Sequence, residues 1–345
     1  MGIFSRLSKD IAIDLGSVNT LAYVVNQGIV LNEPSVVAVD KATQQALAVG
    51  EEAKQMLGKI PGNVAVINPR QDGVIADCDN AELMLKQFLQ RVHGGQNLIA
   101  PRLVVGTPTG ATGVERRSIQ ETALQSGARE VFLIDDPLAA AIGAGLPVSS
   151  PTGSMVVDIG GGTTEAAVTS LYGTVLADSE RVAGDTLTES IMAHLKSLHQ
   201  LEVSDRTAEQ LKLKIGSAFP HQDWNDATME VRGLHALSGL PRTVMIRGVE
   251  VRESIMEPLT VILDVIKRTL ERVPAELTSD VFERGIMLTG GTALLPGLDD
   301  LISQDTGLVV HKADAPLECS AQGMGMVLEN FKELSRVFNR NSESY

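Results

Sequence analysis

The chain has 345 residues, carries 29 Lys and Arg against 43 Asp and Glu for a formal charge of −14, and contains two cysteines. Such a length accommodates about two domains with full cores, and the acidity, which repels phosphate backbones, removes nucleic acid from the expected partners. Cys78 and Cys319 give neither a disulfide framework nor zinc-site spacing, and a reducing, cytoplasmic compartment is expected.

No window reaches the roughly 18 apolar residues of a membrane span, because the richest stretch, Val131 to Val148, is cut by Asp135, Asp136, Gly143 and Gly145. The residues before Ile11 lack a signal-peptide cleavage pattern. They do place Ile3, Phe4 and Leu7 on one helical face with Arg6 and Lys9 beside it, the composition of an interfacial anchor, with a frayed tail as the alternative. A strand meander follows: Ile11–Asp14, Leu21–Val25, a turn at Asn26-Gln27-Gly28, Ile29–Leu31, and Val36–Val39 after Pro34. Ala81–Val92 then carries Met84, Phe88 and Val92 at helical spacing. Leu98 and Ile99, after Gly94-Gly95, either begin the next strand or form an apolar tip. Leu187, Ile191, Leu195 and Leu198 repeat the helical period behind Asp185 and Thr186, two good helix-start residues, and Ile255–Leu270 repeats it again. Strands alternating with such core-facing helices indicate an α/β architecture. Trp224, among polar residues, is expected in a loop, and Arg340–Tyr345 in a solvated tail. None of the six histidines has metal-site spacing.

The segment Pro147–Gly153 divides the chain near its middle, and both halves begin alike. Asp14-Leu-Gly16-Ser17-Val18-Asn19-Thr20 returns 144 residues later as Asp158-Ile-Gly160-Gly161-Gly162-Thr163-Thr164. Each copy follows an apolar strand and runs into a second, so a duplicated strand–turn–strand hairpin is expected. A glycine two places after a strand-end Asp lets successive N–H groups face one concavity, where phosphate oxygens can sit. The two Asp carboxylates would repel phosphate unless they hold a cation, Mg²⁺ through its waters being the natural candidate. Neither copy is a Walker loop or a Rossmann fingerprint. A third glycine element, Gly290-Gly291-Thr292-Ala293, follows the apolar run from Ile286 and allows close approach by a flat ligand, or serves as a strand-to-helix turn. Asp135-Asp136 before Pro137 is open to two readings, a helix cap or a reactive carboxylate. By spacing alone, Glu209 and Lys212 form an ordinary i,i+3 surface pair.

Together these elements resemble the actin/Hsp70/sugar-kinase superfamily and, more closely, the MreB family of bacterial actins. The resemblance rests on Ile11–Gly16, Gly28–Ser35, Asp72–Asp77, Asp136–Gly145, Asp158–Glu165, Ile215–Ala218 and the Gly290 loop, nearly end to end. It implies an α/β, actin-like ATPase fold of two duplicated ribonuclease-H-like domains with a nucleotide cleft between them. Residues 11–146 plus 318–345 would form domain I, with a small subdomain at about 33–67. Residues 147–317 would form domain II, with a small subdomain at about 182–248, and residues 1–10 a membrane-binding segment.

The resemblance assigns Asp14, Gly16, Ser17, Val18, Asn19 and Thr20 to a first phosphate loop and Gly160, Gly161, Gly162 and Thr163 to a second. Asp14 and Asp158 would hold Mg²⁺ through water, and Asp136, Asp158 and Thr164 would serve catalysis. Glu209, Lys212 and Gly216 would meet the nucleoside, and Gly290, Gly291, Thr292 and Ala293 the base of ATP or ADP. Membrane contact would fall to Ile3, Phe4, Leu7, Leu98 and Ile99. Asp136 stands where the family usually has Glu, one methylene longer, so slow hydrolysis is expected; Lys214 stands where an acidic residue is usual. The family further implies paired protofilaments on the inner face of the cytoplasmic membrane, rod-shape determination, and RodZ, MreC and MreD as partners in positioning the peptidoglycan elongation machinery. A small-molecule kinase of the same superfamily is the alternative, though the short Val39–Asn68 stretch offers little room for its substrate pocket. An Hsp70-like chaperone would need a β-domain and helical lid beyond the ATPase, for which 345 residues leave no room.

Overall fold

The computed structural model describes residues 10–59, 62–71, 73–93, 99–334 and 336–339. Ile3, Phe4, Leu7 and Leu98 therefore lie outside the described residues. The meander forms as three strands, β1 (Ile11–Leu15), β2 (Asn19–Val24) and β3 (Gly28–Pro34), and the sheet is completed by β4 (Arg102–Thr107) and β5 (Glu130–Asp135) in the order β5-β4-β1-β2-β3. The second half repeats the plan with β6 (Ser154–Ile159), β7 (Thr164–Ser170), β8 (Gly173–Glu180), β9 (Ile286–Thr289) and β10 (Val310–Lys312), ordered β10-β9-β6-β7-β8. In each sheet the first three strands are antiparallel and the last two add in parallel. The register is duplicated too. Asp14 faces Leu21 and Leu15 faces Thr20, while 144 residues on Asp158 faces Glu165 and Ile159 faces Thr164.

Strand periodicity decides which core each residue enters. Ile11, Ile13 and Leu15 of β1 pack with Met84, Phe88 and Ile119 from helices α1 (Cys78–His93) and α2 (Gly113–Gln125). Met155, Val157 and Ile159 of β6 pack with Leu187 and Ile191 of α4 (Gly184–His199) and with Ile255, Leu259 and Ile262 of α6 (Gly248–Glu271). The opposite faces carry Ala12 and Val156 into a third cluster that joins the two sheets through α3 (Asp136–Gly143) and α7 (Cys319–Glu329). Small side chains let α3 and α7 cross at van der Waals distance. A Cβ on Gly143 would strike the Cys319 carbonyl, and one on Gly323 the Ala139 carbonyl.

Two small antiparallel sheets flank the cleft side: Val37–Asp40, Ala46–Val49 and Val64–Ile67 in one, Leu201–Glu202, Thr228–His235 and Pro241–Arg247 in the other. Two local expectations change. Trp224 sits in a one-turn helix, Gln222–Asp226, against the His221 ring at 5.0 Å, instead of in a loop. Asp185 and Thr186 lie inside the first turn of α4 instead of capping it, because the leading N–H groups are already taken by the carbonyls of Gly160 and Gly161. Ile99 is half-buried in the bend before β4, so it does not begin that strand.

Candidate functional site

Both hairpin turns open onto one cleft of about 470 Å³, within the usual range for small-ligand sites. The Gly16–Val18 turn is fixed from behind. Ser35 Oγ donates to Gly16 O at 2.6 Å, Asn68 Nδ2 to Ser17 O at 2.7 Å, and Gly73 N to Ser17 Oγ at 3.2 Å. The Gly160–Thr163 turn is fixed likewise, since Gly160 O accepts from Thr292 Oγ1 at 2.6 Å and from Gly184 N at 3.2 Å, and Gly161 O accepts from Asp185 N at 2.8 Å. With those carbonyls engaged, what the two turns offer an incoming group is N–H, the chemistry that receives anions. They approach so closely that a Cβ on Gly161 would collide with Val18.

Beneath the turns lie four carboxylates. Asp158, at the end of β6, is pushed up to about 7 by desolvation, opposed by a 2.9 Å hydrogen bond from Thr289 Oγ1 and reinforced by the charge of Asp14. Asp14 is raised to about 6 by burial, with Arg70 pulling it back. Glu165, 2 % exposed, is also raised by burial, against a 2.9 Å hydrogen bond from the Thr109 amide. Asp136 lies well above the ordinary carboxylate range through desolvation first, and then through the charges of Glu165 and Asp14; its Oδ1 is buried without a partner among the described residues. Asp135 occupies the cap position of α3 but gives the helix no side-chain hydrogen bond, because its Oδ1 is held by Arg116 at 2.7 Å. The two adjacent acids thus separate: Asp135 is tied to α2 and Asp136 faces the cleft. A crowded set of acids this far above its solution pKa values favours a cation or a bound water. No group of three or more ligating side chains that could enclose a metal occurs among the described residues. Asp14 and Asp158 nevertheless fit a hard ion that keeps its waters and takes its remaining ligands from phosphate.

At the other end of the cleft, Lys212 of α5 (Asp205–Ile215) is only 8 % exposed. Its Nζ donates to Gly184 O at 2.7 Å and Thr188 Oγ1 at 2.8 Å and pairs with Glu209 Oε2 at 2.7 Å. It is a buried strut that ties α5 to α4, not the surface pair that spacing alone describes. Gly290, at φ 85°, starts a 3₁₀ turn over Gly291–Leu294, and a Cβ there would strike the Ile159 carbonyl at the root of the second hairpin turn.

Of the residues singled out from sequence, Asp14, Gly16, Ser17, Val18, Asn19, Asp136, Asp158, Gly160, Gly161, Gly162, Thr163, Glu209, Lys212, Gly290, Gly291 and Thr292 line the cleft. Four do not. Thr20 is buried against Ser35 Oγ at 2.9 Å, and Thr164 gives its hydroxyl to Val182 O at 2.7 Å, because strand alternation turns both into the hairpin interior. Gly216 caps α5 behind Lys212, and Ala293 is sunk in the core. The cleft also contains residues that sequence reasoning missed: Arg70, Gly73, Asp185, Pro316 and Leu317. Two had a usable signal: Asp185 by its place after the second hairpin, and Gly73 by lying within the Asp72–Asp77 segment that carries the resemblance. Arg70 had none, because nothing local shows that a two-residue ladder, Arg70–Gln71 against Val74–Ile75, brings it into the cleft.

Residues 8–336 match the family model described as MreB/Mbl protein. The cell shape-determining protein MreB of Escherichia coli strain K12 is 51% identical over 327 residues, covering 93% of this chain and 94% of that one. The cell shape-determining protein Mbl of Bacillus subtilis strain 168 is 44% identical over 329 residues, 95% and 98% of the two chains. Among solved structures, MreB5 of Spiroplasma citri bound to ADP superposes with a TM-score of 0.89 at 32% identity, covering 95% of this chain and 98% of that one. The MamK double helical filament superposes at 0.79 with 19% identity over 93% and 99%, a likeness of fold.

Proposed function

The chain belongs to the MreB/Mbl family, and on that premise we propose that it is an actin-like cytoskeletal ATPase that assembles into filaments and helps to set cell shape. The observation that carries the reading is the pair of equivalent turns, one from each duplicated sheet, facing each other across one cleft with the unpartnered Oδ1 of Asp136 beneath them. One relative, MreB5 of Spiroplasma citri, solved bound to ADP and bound to AMPPNP, supports nucleotide as the occupant, and the fold likeness to a filament supports self-assembly.

In this reading the amides of Gly16–Val18 and Gly161–Thr163 hold the phosphates, the Gly160 amide being spent on Thr163 O, and Glu209, positioned by Lys212, holds the nucleoside with the Gly290–Thr292 turn. Asp14 and Asp158 would hold Mg²⁺, which would supply neutralisation of phosphate charge. Asp136 orients the attacking water through its buried oxygen and takes its proton. Its side chain, one methylene shorter than that of Glu, holds the water loosely, in keeping with slow hydrolysis. Thr164, with its hydroxyl given to Val182 O, holds the hairpin in shape. Nucleotide bound to both turns draws the two sheets together and shifts the population toward the closed form that stacks head to tail; such non-closing contacts propagate as filaments.

Membrane attachment belongs to the same proposal. No helix among the described residues is long and apolar enough to cross a membrane, and the amphipathic composition of residues 1–9 supports peripheral binding through Ile3, Phe4 and Leu7. One such short segment is a weak anchor, and many along one filament bind by avidity. RodZ, MreC and MreD are the partners that family membership proposes at that surface. The test is sedimentation with and without Mg-ATP and anionic liposomes, alongside phosphate release. Nucleotide-dependent pelleting with slow phosphate release is expected. A monomer that stays in the supernatant and consumes ATP only when given a hydroxylated metabolite would overturn the reading in favour of a kinase.

A further inference from the structure

Arg70 is 3 % exposed and lines the cleft, yet its Nε has no hydrogen-bond partner among the described residues. The residue is held in place by backbone. Its amide donates to Asn68 Oδ1 at 3.0 Å while Asn68 Nδ2 donates to Ser17 O at 2.7 Å, so it is tied directly to the first phosphate-type turn. Its Nη2 donates to Gly73 O, closing the short Arg70–Ile75 hairpin and leaving the rest of the fork free. Around it stand Asp14, Asp136 and Glu165, and the charge it feels most strongly is that of Asp136.

Burying a guanidinium is costly unless every N–H is satisfied, and this one keeps an unsatisfied Nε in the same cleft as the Asp136 Oδ1 that has no partner among the described residues. Neutralising three acids would need no particular orientation of the fork. The open Nε–H, in the cleft that Asp136 also lines, offers a charge-assisted donor to an anionic oxygen, the contact that guanidinium makes with phosphate. Because Asp136 is assigned to the attacking water, the phosphate next to it is the terminal one.

We propose that Arg70 contacts the terminal phosphate of the bound nucleoside triphosphate directly, an arginine supplied from within the same chain that distinguishes triphosphate from diphosphate. The inference rests on the nucleotide reading of the cleft. It makes Arg70 the sensor of nucleotide state. When the terminal phosphate leaves, the guanidinium loses its partner and the hairpin after Asn68 loses its tie to the second sheet. A cationic contact of this kind also stabilises charge developing in phosphoryl transfer.

The experiment is equilibrium binding of AMPPNP and of ADP, each with Mg²⁺, to the full chain and to its Arg70→Met and Arg70→Lys variants. Arg70→Met is expected to lose about 10-fold or more of its affinity for AMPPNP and to keep ADP affinity within about 2-fold, as for loss of one charge-assisted contact. Arg70→Lys, which keeps the charge without the fork, is expected to fall between. Equal losses for both nucleotides, or no loss for either, would overturn the proposal and leave Arg70 a structural counter-charge. If Arg70→Met binds neither nucleotide, Arg70→Lys decides: a selective loss for AMPPNP supports the contact and an unselective one overturns it. A parent chain that binds neither nucleotide overturns the nucleotide reading as well, whereas a parent that binds both equally with all variants sinks only the role of Arg70.

Discussion

Thr289 Oγ1 donates a 2.9 Å hydrogen bond to Asp158 Oδ1, across the parallel pairing of β9 with β6. That bond favours the charged carboxylate and opposes the burial that drives its pKa from 3.8 up to about 7. The sign of the resulting pH dependence follows. Between those two values the native state holds a proton that the unfolded chain has released, so the nucleotide-free protein loses stability as pH rises through this window. The slope is about 1.4 kcal/mol per pH unit for each such group. Asp14 and Glu165 shift in the same direction, whereas Glu115 and Glu250 are lowered and give way only at more acid pH. Denaturant midpoints measured without nucleotide should fall from pH 5 to pH 7, and Thr289→Val should fall more steeply. A midpoint that rises over that range contradicts the assignment of a buried, proton-holding acid cluster.

Removing the charge of Asp136 tests the chemical step. Asp136→Asn keeps the volume of the side chain and its place at the start of α3 but cannot take a proton from water. Phosphate release should drop by on the order of 10²-fold or more while ADP binding is retained. A rate equal to that of the parent would show that another group orients the water.

Lys212 satisfies three acceptors at 2.7–2.8 Å, two of them on α4, from an almost fully buried position. Lys212→Met fits the same space but removes the cation paired with Glu209 and a donor to Gly184 O, leaving Glu209 Oε2 the Thr188 hydroxyl at 2.6 Å. The expected cost is about 1–3 kcal/mol, from the lost charge-assisted hydrogen bonds. Nucleotide affinity should drop with it, because α5 loses its tie to the second turn. Calorimetric melting read beside ADP titration checks both, and unchanged values in the pair of measurements would reduce Lys212 to a surface residue.

Much of this was legible in the sequence because the fold repeats itself. The Asp14 and Asp158 hairpins share residue types, spacing and strand context, and register follows from alternation once those are seen. The helical stripes at Met84, Leu187 and Ile255 were legible for the same reason, a period that only one buried face explains. What stayed hidden depends on contacts made far away in sequence. Lys212 reads as a surface lysine until α4 covers it. Arg70 has no pattern at all until the hairpin after Asn68 docks on Ser17 O. Asp185 reads as a cap because such a residue ordinarily is one, and here the carbonyl of Gly161 has taken the amide instead.

The crossing of α3 and α7 gives the last prediction, and its sign is diagnostic. In an exposed helix Gly→Ala stabilises by about 1 kcal/mol, through reduced freedom of the unfolded chain and better helix propensity. At Gly323 the added methyl would meet the Ala139 carbonyl and the Gly143 amide, both backbone atoms of a buried helix that cannot rotate aside. Overpacking of this kind costs about 1–3 kcal/mol and exceeds the propensity gain. Gly323→Ala should therefore lower the melting temperature. Since α3 begins at Asp136, a displaced crossing should also slow phosphate release. Gly143→Ala, which meets the Cys319 carbonyl from the other side, should do the same. Either variant melting above the parent would mean that the helices stand farther apart than their contact requires, and the route from the α3–α7 crossing to Asp136 would have to be abandoned.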